Sequence, residues 1–208
     1  MINRDGFPFI LAAAVVAILP AWLIHPYAGI PGLAACLFCI NFFRDPEREI
    51  PSGDVAVSPA DGKIVAVRRL DDADPPYAWF VSIFMNVFNV HVNRAPVSGR
   101  LEAYRYASGK FLPANREAAT VENEHNEIVL VDGTRRVRMS QVAGLIARRI
   151  VFRKQTGDMI IKGERIGLIR FGSRVDLWLP ETAAIKVRLG QKVTAGQTIL
   201  AEFTDGCD

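Results

Sequence analysis

No Asp, Glu, Lys or Arg occurs between Phe7 and Phe43, although these four residue types make up 23% of the 208-residue chain. Every formal charge therefore lies in the six residues before this segment or in the residues after it. Half of all residues are hydrophobic, which excludes a mainly disordered chain. The asymmetry predicts two parts, an apolar membrane-anchoring hairpin over residues 1–43 and a polar domain over residues 44–208.

Cysteine is scarce, and the three present (Cys36, Cys39 and Cys207) cannot form a disulfide framework. Two of them lie in the apolar segment, which favours a reducing compartment and a packing role rather than a metal site. The basic excess is small, 25 Lys and Arg against 22 Asp and Glu, and no aromatic residues are interleaved with a basic stripe. We therefore expect no nucleic-acid partner and no metal.

The charge-free segment consists of two apolar runs, Phe7–Ile24 and Tyr27–Phe43, separated by His25-Pro26. As helices they are each roughly 25–27 Å long, just short of the hydrocarbon core, so two short spans in a hairpin fit a membrane. A hairpin that dips into one leaflet is the alternative, because four prolines disfavour long straight helices. They are Pro8, Pro20, Pro26 and Pro31.

Arginine flanks the apolar segment at both ends, with Arg4 before it and Arg44 and Arg48 after it. The positive-inside rule then predicts that both ends of the hairpin, and with them the polar domain, lie on the cytoplasmic side of the cell membrane.

The polar domain contains little helical pattern and many short β-branched or aromatic runs punctuated by Gly, Pro, Asn or Asp. Asp61-Gly62 and Asp132-Gly133 are typical of hairpin turns. Short helices are predicted only over Asn115–Val121 and Gln141–Ala147. The predicted strands are Val55–Val57, Lys63–Val67, Trp79–Val92, Ile128–Val131, Arg136–Met139, Ile160–Ile161, Ile166–Phe171 and Ile185–Leu189.

An internal repeat links two C-terminal segments. Gly157-x-x-Ile160-x-x-Gly163-x-x-Ile166 recurs 33 residues later as Gly190-x-x-Val193-x-x-Gly196-x-x-Ile199. Each copy predicts a glycine turn, an apolar anchor, a second glycine turn and the start of a strand. The fold class expected is mainly β, a quasi-symmetric barrel or sandwich similar to lipoyl and biotinyl domains, preceded by the apolar α-helical hairpin.

Ser173 stands out on the segment Ile169–Leu179. With the alternation of a strand it shares one face with Val175, Leu177 and other apolar residues, directly after Gly172. A lone hydroxyl there is either a buried serine bonded to a nearby carbonyl or a reactive group in a dry site. The strand by itself favours the first reading.

Six motifs that follow one another along the chain favour the second reading. They are Arg44-Asp45-Pro46-Glu47-Arg48, Ser58-Pro59-Ala60-Asp61-Gly62-Lys63, Asn89-Val90-His91-Val92-Asn93-Arg94-Ala95-Pro96, Gly109-Lys110-Phe111-Leu112-Pro113-Ala114, Glu122-Asn123-Glu124-His125-Asn126 and Phe171-Gly172-Ser173. In this order they resemble the proenzyme of phosphatidylserine decarboxylases of the short bacterial and archaeal type, from the hairpin to the C-terminus. Many relatives have Leu-Gly-Ser-Thr where this chain has Phe171-Gly172-Ser173-Arg174, and arginine where it has His125.

The resemblance implies self-cleavage between Gly172 and Ser173, which gives a β chain of residues 1–172 and an α chain of residues 173–208. Ser173 would be the nucleophile, His91 its base and Asp61 the group that orients His91. Ser173 would then become a covalent pyruvoyl cofactor, whose carbonyl condenses with the substrate amine and serves as an electron sink for loss of CO2.

The function implied is decarboxylation of phosphatidylserine to phosphatidylethanolamine in phospholipid biosynthesis. The implied partners are this lipid substrate, the membrane, the α and β chains as a heterodimer, and a higher homo-oligomer. One alternative is the same chemistry on another serine lipid such as archaetidylserine. Another is a non-enzymatic, membrane-anchored adaptor with a lipoyl-like module, which the lack of long helical heptads disfavours.

Overall fold

The computed structural model describes residues 1–70, 76–109, 123–144, 149–170 and 173–204. By its internal contacts the chain divides into two units, Met1–Glu47 and Arg48–Asp208. The boundary lies four residues beyond the end of the hairpin predicted from the sequence.

The N-terminal unit is an apolar helical hairpin, as predicted. Helix α1 covers Phe7–Leu23 and helix α2 covers Ile30–Phe42. The helices pack closely where glycine faces alanine: a Cβ atom added to Gly32 would lie 2.3 Å from the backbone nitrogen of Ala17. The helical stretch Arg4–Leu23, which includes a short 3-10 turn, is long and apolar enough to cross a membrane.

The two ends of the hairpin are tied together by backbone hydrogen bonds. The amide of Asn3 donates to the carbonyl of Phe43 (2.8 Å), and the amide of Asp45 donates to the carbonyl of Met1 (2.8 Å). The charged residues at its two ends therefore lie at the same end of this unit, as the sequence predicts for a hairpin.

The second unit is built from strands, which confirms the mainly β prediction. Their bounds are β1 Val55–Val57, β2 Gly62–Arg69, β3 Tyr77–Met85, β4 Val92–Arg94, β5 Gly99–Ala107, β6 His125–Asp132, β7 Arg135–Ala143, β8 Ile150–Phe152, β9 Met159–Ile160, β10 Arg165–Ile169, β11 Ser173–Pro180, β12 Ala183–Ile185, β13 Lys192–Val193 and β14 Ile199–Phe203.

A curled eight-stranded sheet has the order β13-β2-β3-β11-β7-β6-β5-β9, and two three-stranded sheets have the orders β1-β14-β12 and β4-β10-β8. All the pairings are antiparallel, and the inner face of the large sheet supplies much of the hydrophobic core.

These strands form two quasi-equivalent halves, as the repeat suggested. Half 1 combines residues 55–85 with residues 173–203, and half 2 combines residues 92–132 with residues 135–169. The registers agree: Lys63 pairs with Phe84 in half 1, as Arg100 pairs with Val131 in half 2. Two equivalent backbone hydrogen bonds also join the halves. The amide of Val57 donates to the carbonyl of Pro96, and the amide of Arg94 donates to the carbonyl of Pro59, both at 2.9 Å.

The repeat glycines explain why the pattern recurs. All four (Gly157, Gly163, Gly190 and Gly196) have positive φ. Gly157 and Gly163 flank the two-residue strand β9, and Gly190 and Gly196 flank the two-residue strand β13. These two strands form the opposite edges of the large sheet. The side chain of Ile50 lies against both Gly163 and Gly196, where added Cβ atoms would be 2.4 and 2.9 Å from its Cδ1 atom. Side chains larger than hydrogen are excluded there by contact as well as by backbone conformation.

Several sequence-based bounds were wrong. Residues 141–143 of the predicted helix Gln141–Ala147 end strand β7 instead, because their backbones pair with β6 and β11 on both sides. Asp132-Gly133 does turn between β6 and β7, but Asp61-Gly62 only leads into β2. The segment Ile169–Leu179 is not one strand: β10 ends at Ile169 in a three-stranded sheet and β11 begins at Ser173 in the large sheet.

Other differences follow from side-chain polarity. The predicted strand Trp79–Val92 ends at Met85, before a turn rich in asparagine. Strand β5 was missed because polar residues dominate its exposed face, and only the first residue of the predicted strand Ile185–Leu189 is extended in a sheet. The predicted helix Asn115–Val121 lies outside the described residues.

Candidate active site

Ser173 is the first residue of β11 and is completely buried. It pairs with Met85 of β3 on one side and with Ala143 of β7 on the other, so it lies where three central strands of the large sheet end together. Its hydroxyl lies 3.3 Å from the sulfur of Met85. Thioether sulfur is a weak acceptor, so the hydroxyl is held in place without a strong competing hydrogen bond.

His91 precedes β4 and is also completely buried. Its Nδ1 atom lies 2.9 Å from the carbonyl oxygen of Asn89. Because a carbonyl only accepts, this contact assigns the proton of a neutral imidazole to Nδ1 and leaves Nε2 as the basic nitrogen. The backbone amide of Ile169, four residues before Ser173, lies 3.4 Å from the His91 carbonyl.

The turn that carries Asn89 is itself fixed by asparagine side chains. The amide of Asn86 donates to Oδ1 of Asn89 (2.9 Å), and the amide of Asn89 donates back to the carbonyl of Asn86 (3.0 Å). Such reciprocal bonds within a turn hold the Asn89 carbonyl in a defined direction, and with it the imidazole of His91.

Asp61 lies directly before β2, and its carboxylate is bound by two groups. Nη2 of Arg48 lies 3.0 and 3.2 Å from its two oxygens, and the amide of Ala195 donates to Oδ1 at 2.8 Å. Among the residues that the structure describes, these are its partners, and His91 is not one of them. Within those residues, Asp61 makes no direct hydrogen bond to His91, the residue that the resemblance implies it orients.

A chain of buried amide side chains connects the motifs around Ser173. Nδ2 of Asn93 lies 3.7 Å from the same Met85 sulfur and 3.4 Å from the Pro59 carbonyl. Oδ1 of Asn93 accepts from Gln141 at 2.7 Å, and Gln141 in turn accepts from Asn126 at 2.8 Å. None of these three amides was predicted from the sequence to have a role. Asn93 and Asn126 lie within two of the quoted motifs, which is the signal that could have found them, whereas Gln141 lies in none.

The opposite face of β11 is polar and buried as well. Nε of Arg174 lies 3.0 Å from Asp176, which accepts from Ser82 of β3 at 2.5 Å. The first residue after Ser173 is therefore fixed by an ion pair inside the protein.

His125, which stands where many relatives have arginine, is held by a backbone carbonyl. Its Nδ1 atom lies 2.8 Å from the carbonyl oxygen of Asn123, the same two-residue geometry as in His91. Two basic residues of the segment 135–154 form ion pairs, Arg135 with Asp54 and Lys154 with Glu164. Gly172 lies outside the described residues, as do Arg148 and Cys207.

Comparison with known proteins matches this chain to one family. A family model described as phosphatidylserine decarboxylase matches residues 36–201. The chain is 48% identical over 204 residues to a phosphatidylserine decarboxylase proenzyme of Solibacter usitatus (strain Ellin6076), and the alignment covers 98% of each chain.

Proposed function

Since the chain belongs to the phosphatidylserine decarboxylase family, we propose that it converts phosphatidylserine to phosphatidylethanolamine and CO2 with a pyruvoyl group made from its own Ser173. The proposal depends on the surroundings of Ser173. Its hydroxyl is buried at the start of a central strand, and among the described residues its hydrogen-bond partner is the sulfur atom of Met85.

Self-cleavage would begin with attack of the Ser173 hydroxyl on the carbonyl carbon of Gly172. The peptide bond becomes an ester, and the Ser173 nitrogen becomes an amine. Loss of the Ser173 α-proton then expels the Gly172 carboxylate and leaves dehydroalanine. Water hydrolyses its imine form, so ammonia departs and a pyruvoyl group caps the α chain.

We assign His91 as the base that takes the hydroxyl proton, because its Nε2 is the basic nitrogen of the neutral ring. The quasi-symmetry supports its placement. The two-fold relation that exchanges the halves makes Arg135, at the start of β7, equivalent to Ser173, and Asp54, directly before β1, equivalent to His91, directly before β4. Arg135 and Asp54 are in direct contact, with N–O distances of 2.5 and 2.7 Å. The equivalent positions, Ser173 and His91, are therefore expected to face each other.

We assign Asp61 a supporting role. In the structure the carbonyl of Asn89 holds His91 Nδ1, while Asp61 is bound to Arg48. A carboxylate near the imidazole would stabilise its protonated form. Because another acceptor already orients the ring, we expect removal of Asp61 to slow self-cleavage less than removal of His91.

The pyruvoyl carbonyl supplies the electron sink for the electron pair left by CO2. The chain's own residues keep its position dry, since Met85, Ile169 and Val175 are completely buried. His91, protonated at Nε2, is the group that we assign to return a proton to the substrate carbon.

The two chains would remain together after cleavage as an α–β heterodimer. Strand β11 of the α chain lies between β3 and β7 of the β chain, and β13 and β14 pair with β2 and β1. Separation would break these ladders and expose core residues such as Val175, Leu177 and Leu179.

We also propose that the hairpin anchors the enzyme in the cell membrane, with the polar domain on the cytoplasmic side. Its helices carry many exposed apolar side chains, among them Leu11, Ile18 and Trp22. Protease added to sealed inverted vesicles should degrade the polar domain, whereas protease added to intact spheroplasts should not. The opposite pattern would place the domain outside.

The intact mass under denaturing conditions tests the cofactor. Wild-type protein should give two chains of about 19 and 4 kDa by residue count, the smaller with the mass of a pyruvoyl terminus. Ser173→Ala should remain one inactive chain. An uncleaved wild type, or a Ser173→Ala protein that decarboxylates phosphatidylserine, would contradict the proposal.

The base is tested by His91→Gln, with His125→Gln as the matched control because both rings contact a carbonyl two residues earlier. We expect His91→Gln to slow self-cleavage by about 10²–10⁴-fold, and His125→Gln to cleave at nearly the wild-type rate. Equal slowing in both variants would reject the assignment of His91. An assay of purified enzyme on phosphatidylserine and archaetidylserine separates the two substrate candidates.

A further inference from the structure

The start of strand β11 becomes a chain end when the protein is cut. In the precursor, Ser173 follows Ile169, the last residue of β10, so the segment between them is held at both ends by paired strands. The proposed self-cleavage makes residue 173 the first residue of the α chain. The pyruvoyl group that replaces it has no backbone N–H and offers one donor fewer to the sheet. Terminal residues fray unless other contacts hold them, yet the cofactor carbonyl must keep a fixed position.

Arg174, the next residue, is held by a buried ion pair. Its Nε atom lies 3.0 and 3.2 Å from the two carboxylate oxygens of Asp176. Asp176 is completely buried and accepts from the hydroxyl of Ser82 on β3 at 2.5 Å. Since β3 would belong to the β chain and β11 to the α chain, these contacts connect the first residues of the α chain to the β chain through side chains as well as through the backbone.

The stability of the strand does not by itself account for this pair. Burying two charges costs free energy that their mutual attraction often fails to offset, and apolar side chains of similar size frequently serve as well. In half 2 two arginines, Arg136 and Arg138, occupy the equivalent positions, so the same strand forms there without such a pair. That strand, β7, begins after a short turn rather than at a chain end. The buried pair therefore occurs in the half where cleavage would create a terminus.

We infer that the ion pair between Arg174 and Asp176 anchors the N-terminus of the α chain after cleavage and so positions the pyruvoyl carbonyl for reaction. The inference rests on the proposed function, because only cleavage creates this terminus. Arg174 is a positioning residue: by strand alternation its side chain leaves β11 on the face opposite to that of Ser173, so it acts through the backbone. The pair should matter little in the precursor, where peptide bonds on both sides hold residue 173, and much in the cleaved enzyme.

The test uses full-length protein with both charges removed, Arg174→Met with Asp176→Asn. Methionine keeps the apolar stem, and asparagine can still accept from Ser82, so neither partner is left as an unpaired charge. Arg136→Met is the control from the equivalent position in half 2. Hydrogen exchange of the backbone amides of residues 174–179 is followed by mass spectrometry in the cleaved enzyme and, in parallel, in the uncleaved Ser173→Ala background.

We expect these amides to exchange about tenfold faster in the cleaved double variant than in the cleaved wild type, since a charge-assisted hydrogen bond changes an opening equilibrium by about that factor. In the uncleaved background the same substitutions should change exchange by about twofold or less. Self-cleavage should proceed at nearly the wild-type rate. The kcat for phosphatidylserine should fall about tenfold with KM little changed, because a misplaced carbonyl slows a step after binding. Arg136→Met should match the wild type throughout.

Ser82→Ala is a second, milder variant. It keeps the ion pair and removes only the hydrogen bond that connects Asp176 to β3. Exchange of residues 174–179 should then be about threefold faster in cleaved protein, as expected for one neutral hydrogen-bond donor, and unchanged in the uncleaved background. If the double variant does not fold, this variant decides the question by the same comparison.

Equal acceleration of exchange in cleaved and uncleaved protein would mean that the pair supports the strand in general, and would overturn the inference. Unchanged exchange and unchanged kcat in the cleaved variants would overturn it too, as would a raised KM with an unaltered kcat. In these three outcomes the wild type still cleaves and decarboxylates, so the proposed function stands. A wild type that remains one chain would contradict both hypotheses, because no α-chain terminus would then exist.

Discussion

The hydroxyl oxygen of Ser173 lies 3.3 Å from the sulfur of Met85, the residue directly opposite on the neighbouring strand. Both residues are completely buried, and Asn93 approaches the same sulfur from a different strand. A hydrogen bond from this hydroxyl to a backbone carbonyl would direct its proton away from the base that must take it. A sulfur atom fills the space and leaves the hydroxyl available.

Replacing Met85 by Leu tests this relationship. The two side chains have similar volume, so we expect a loss of stability below about 1.5 kcal/mol. Self-cleavage should continue at a rate within a few fold of wild type, because the sulfur packs against the hydroxyl without activating it. A time course of chain separation on denaturing gels measures this. Abolished cleavage in a folded Met85→Leu protein would show that the sulfur takes part directly.

The side chain of Asp61 accepts a backbone hydrogen bond and also carries a negative charge. The equivalent residue in half 2, Ser98, accepts such a hydrogen bond without the charge. There Ser98 accepts from the amide of Lys162 at 3.0 Å, as Asp61 accepts from Ala195 at 2.8 Å. Asp61→Ser should therefore keep the turn, with about 1 kcal/mol or less lost, yet slow self-cleavage. Ser98→Ala should cost about 1 kcal/mol and leave cleavage unchanged. Cleavage at the wild-type rate in Asp61→Ser would remove Asp61 from the site.

The contact between Gly163 and Ile50 predicts an effect on stability. Gly163 has a φ of +80°, and an added Cβ would lie 2.4 Å from Ile50 Cδ1. We expect Gly163→Ala to cost about 3 kcal/mol, since strain and overlap add. Gly133→Ala is the control, because its φ is also positive but nothing lies within 4 Å, so about 1 kcal/mol is expected. Urea unfolding in the uncleaved Ser173→Ala background measures both; equal losses would mean that Ile50 moves aside freely.

Glu164 predicts a pH dependence of stability. Burial favours the neutral acid, but hydrogen bonds from Lys154 and from the amide of Ile161 outweigh it, so the pKa of Glu164 is lowered. A carboxyl with a lowered pKa in the folded state stabilises the protein above its unfolded pKa, and this stabilisation is lost as pH falls through its folded pKa.

Glu164→Gln should therefore cost about 1 kcal/mol at neutral pH and flatten the fall in unfolding free energy below about pH 5. Glu202→Gln, which removes an exposed ion pair with Lys186, serves as control and should change stability little. Urea unfolding from pH 7 to pH 3 in the Ser173→Ala background compares them. A Glu164→Gln curve parallel to that of its parent would contradict the prediction.

Local pattern was enough to predict much of the protein. The charge-free segment defined the helical hairpin, and the repeated glycines Gly157, Gly163, Gly190 and Gly196 indicated two related halves. Ordered motifs identified the family, which the family model and the relative at 48% identity confirm. Such features depend on hydrophobicity, on backbone conformation and on order along the chain, all of which a sequence contains.

Tertiary structure alone decided which groups meet. The residues 141–143 carry no strong strand pattern, and they join β7 because neighbouring backbones on both sides bind them. Asp61 was predicted to hold His91, but Arg48, 13 positions earlier, binds its carboxylate, and the carbonyl of Asn89 holds the ring. Hydrogen bonds between distant residues depend on register and on side-chain direction in three dimensions. The sequence by itself therefore determined the family, the hairpin and the repeat, whereas the partners of each reactive side chain were decided by packing.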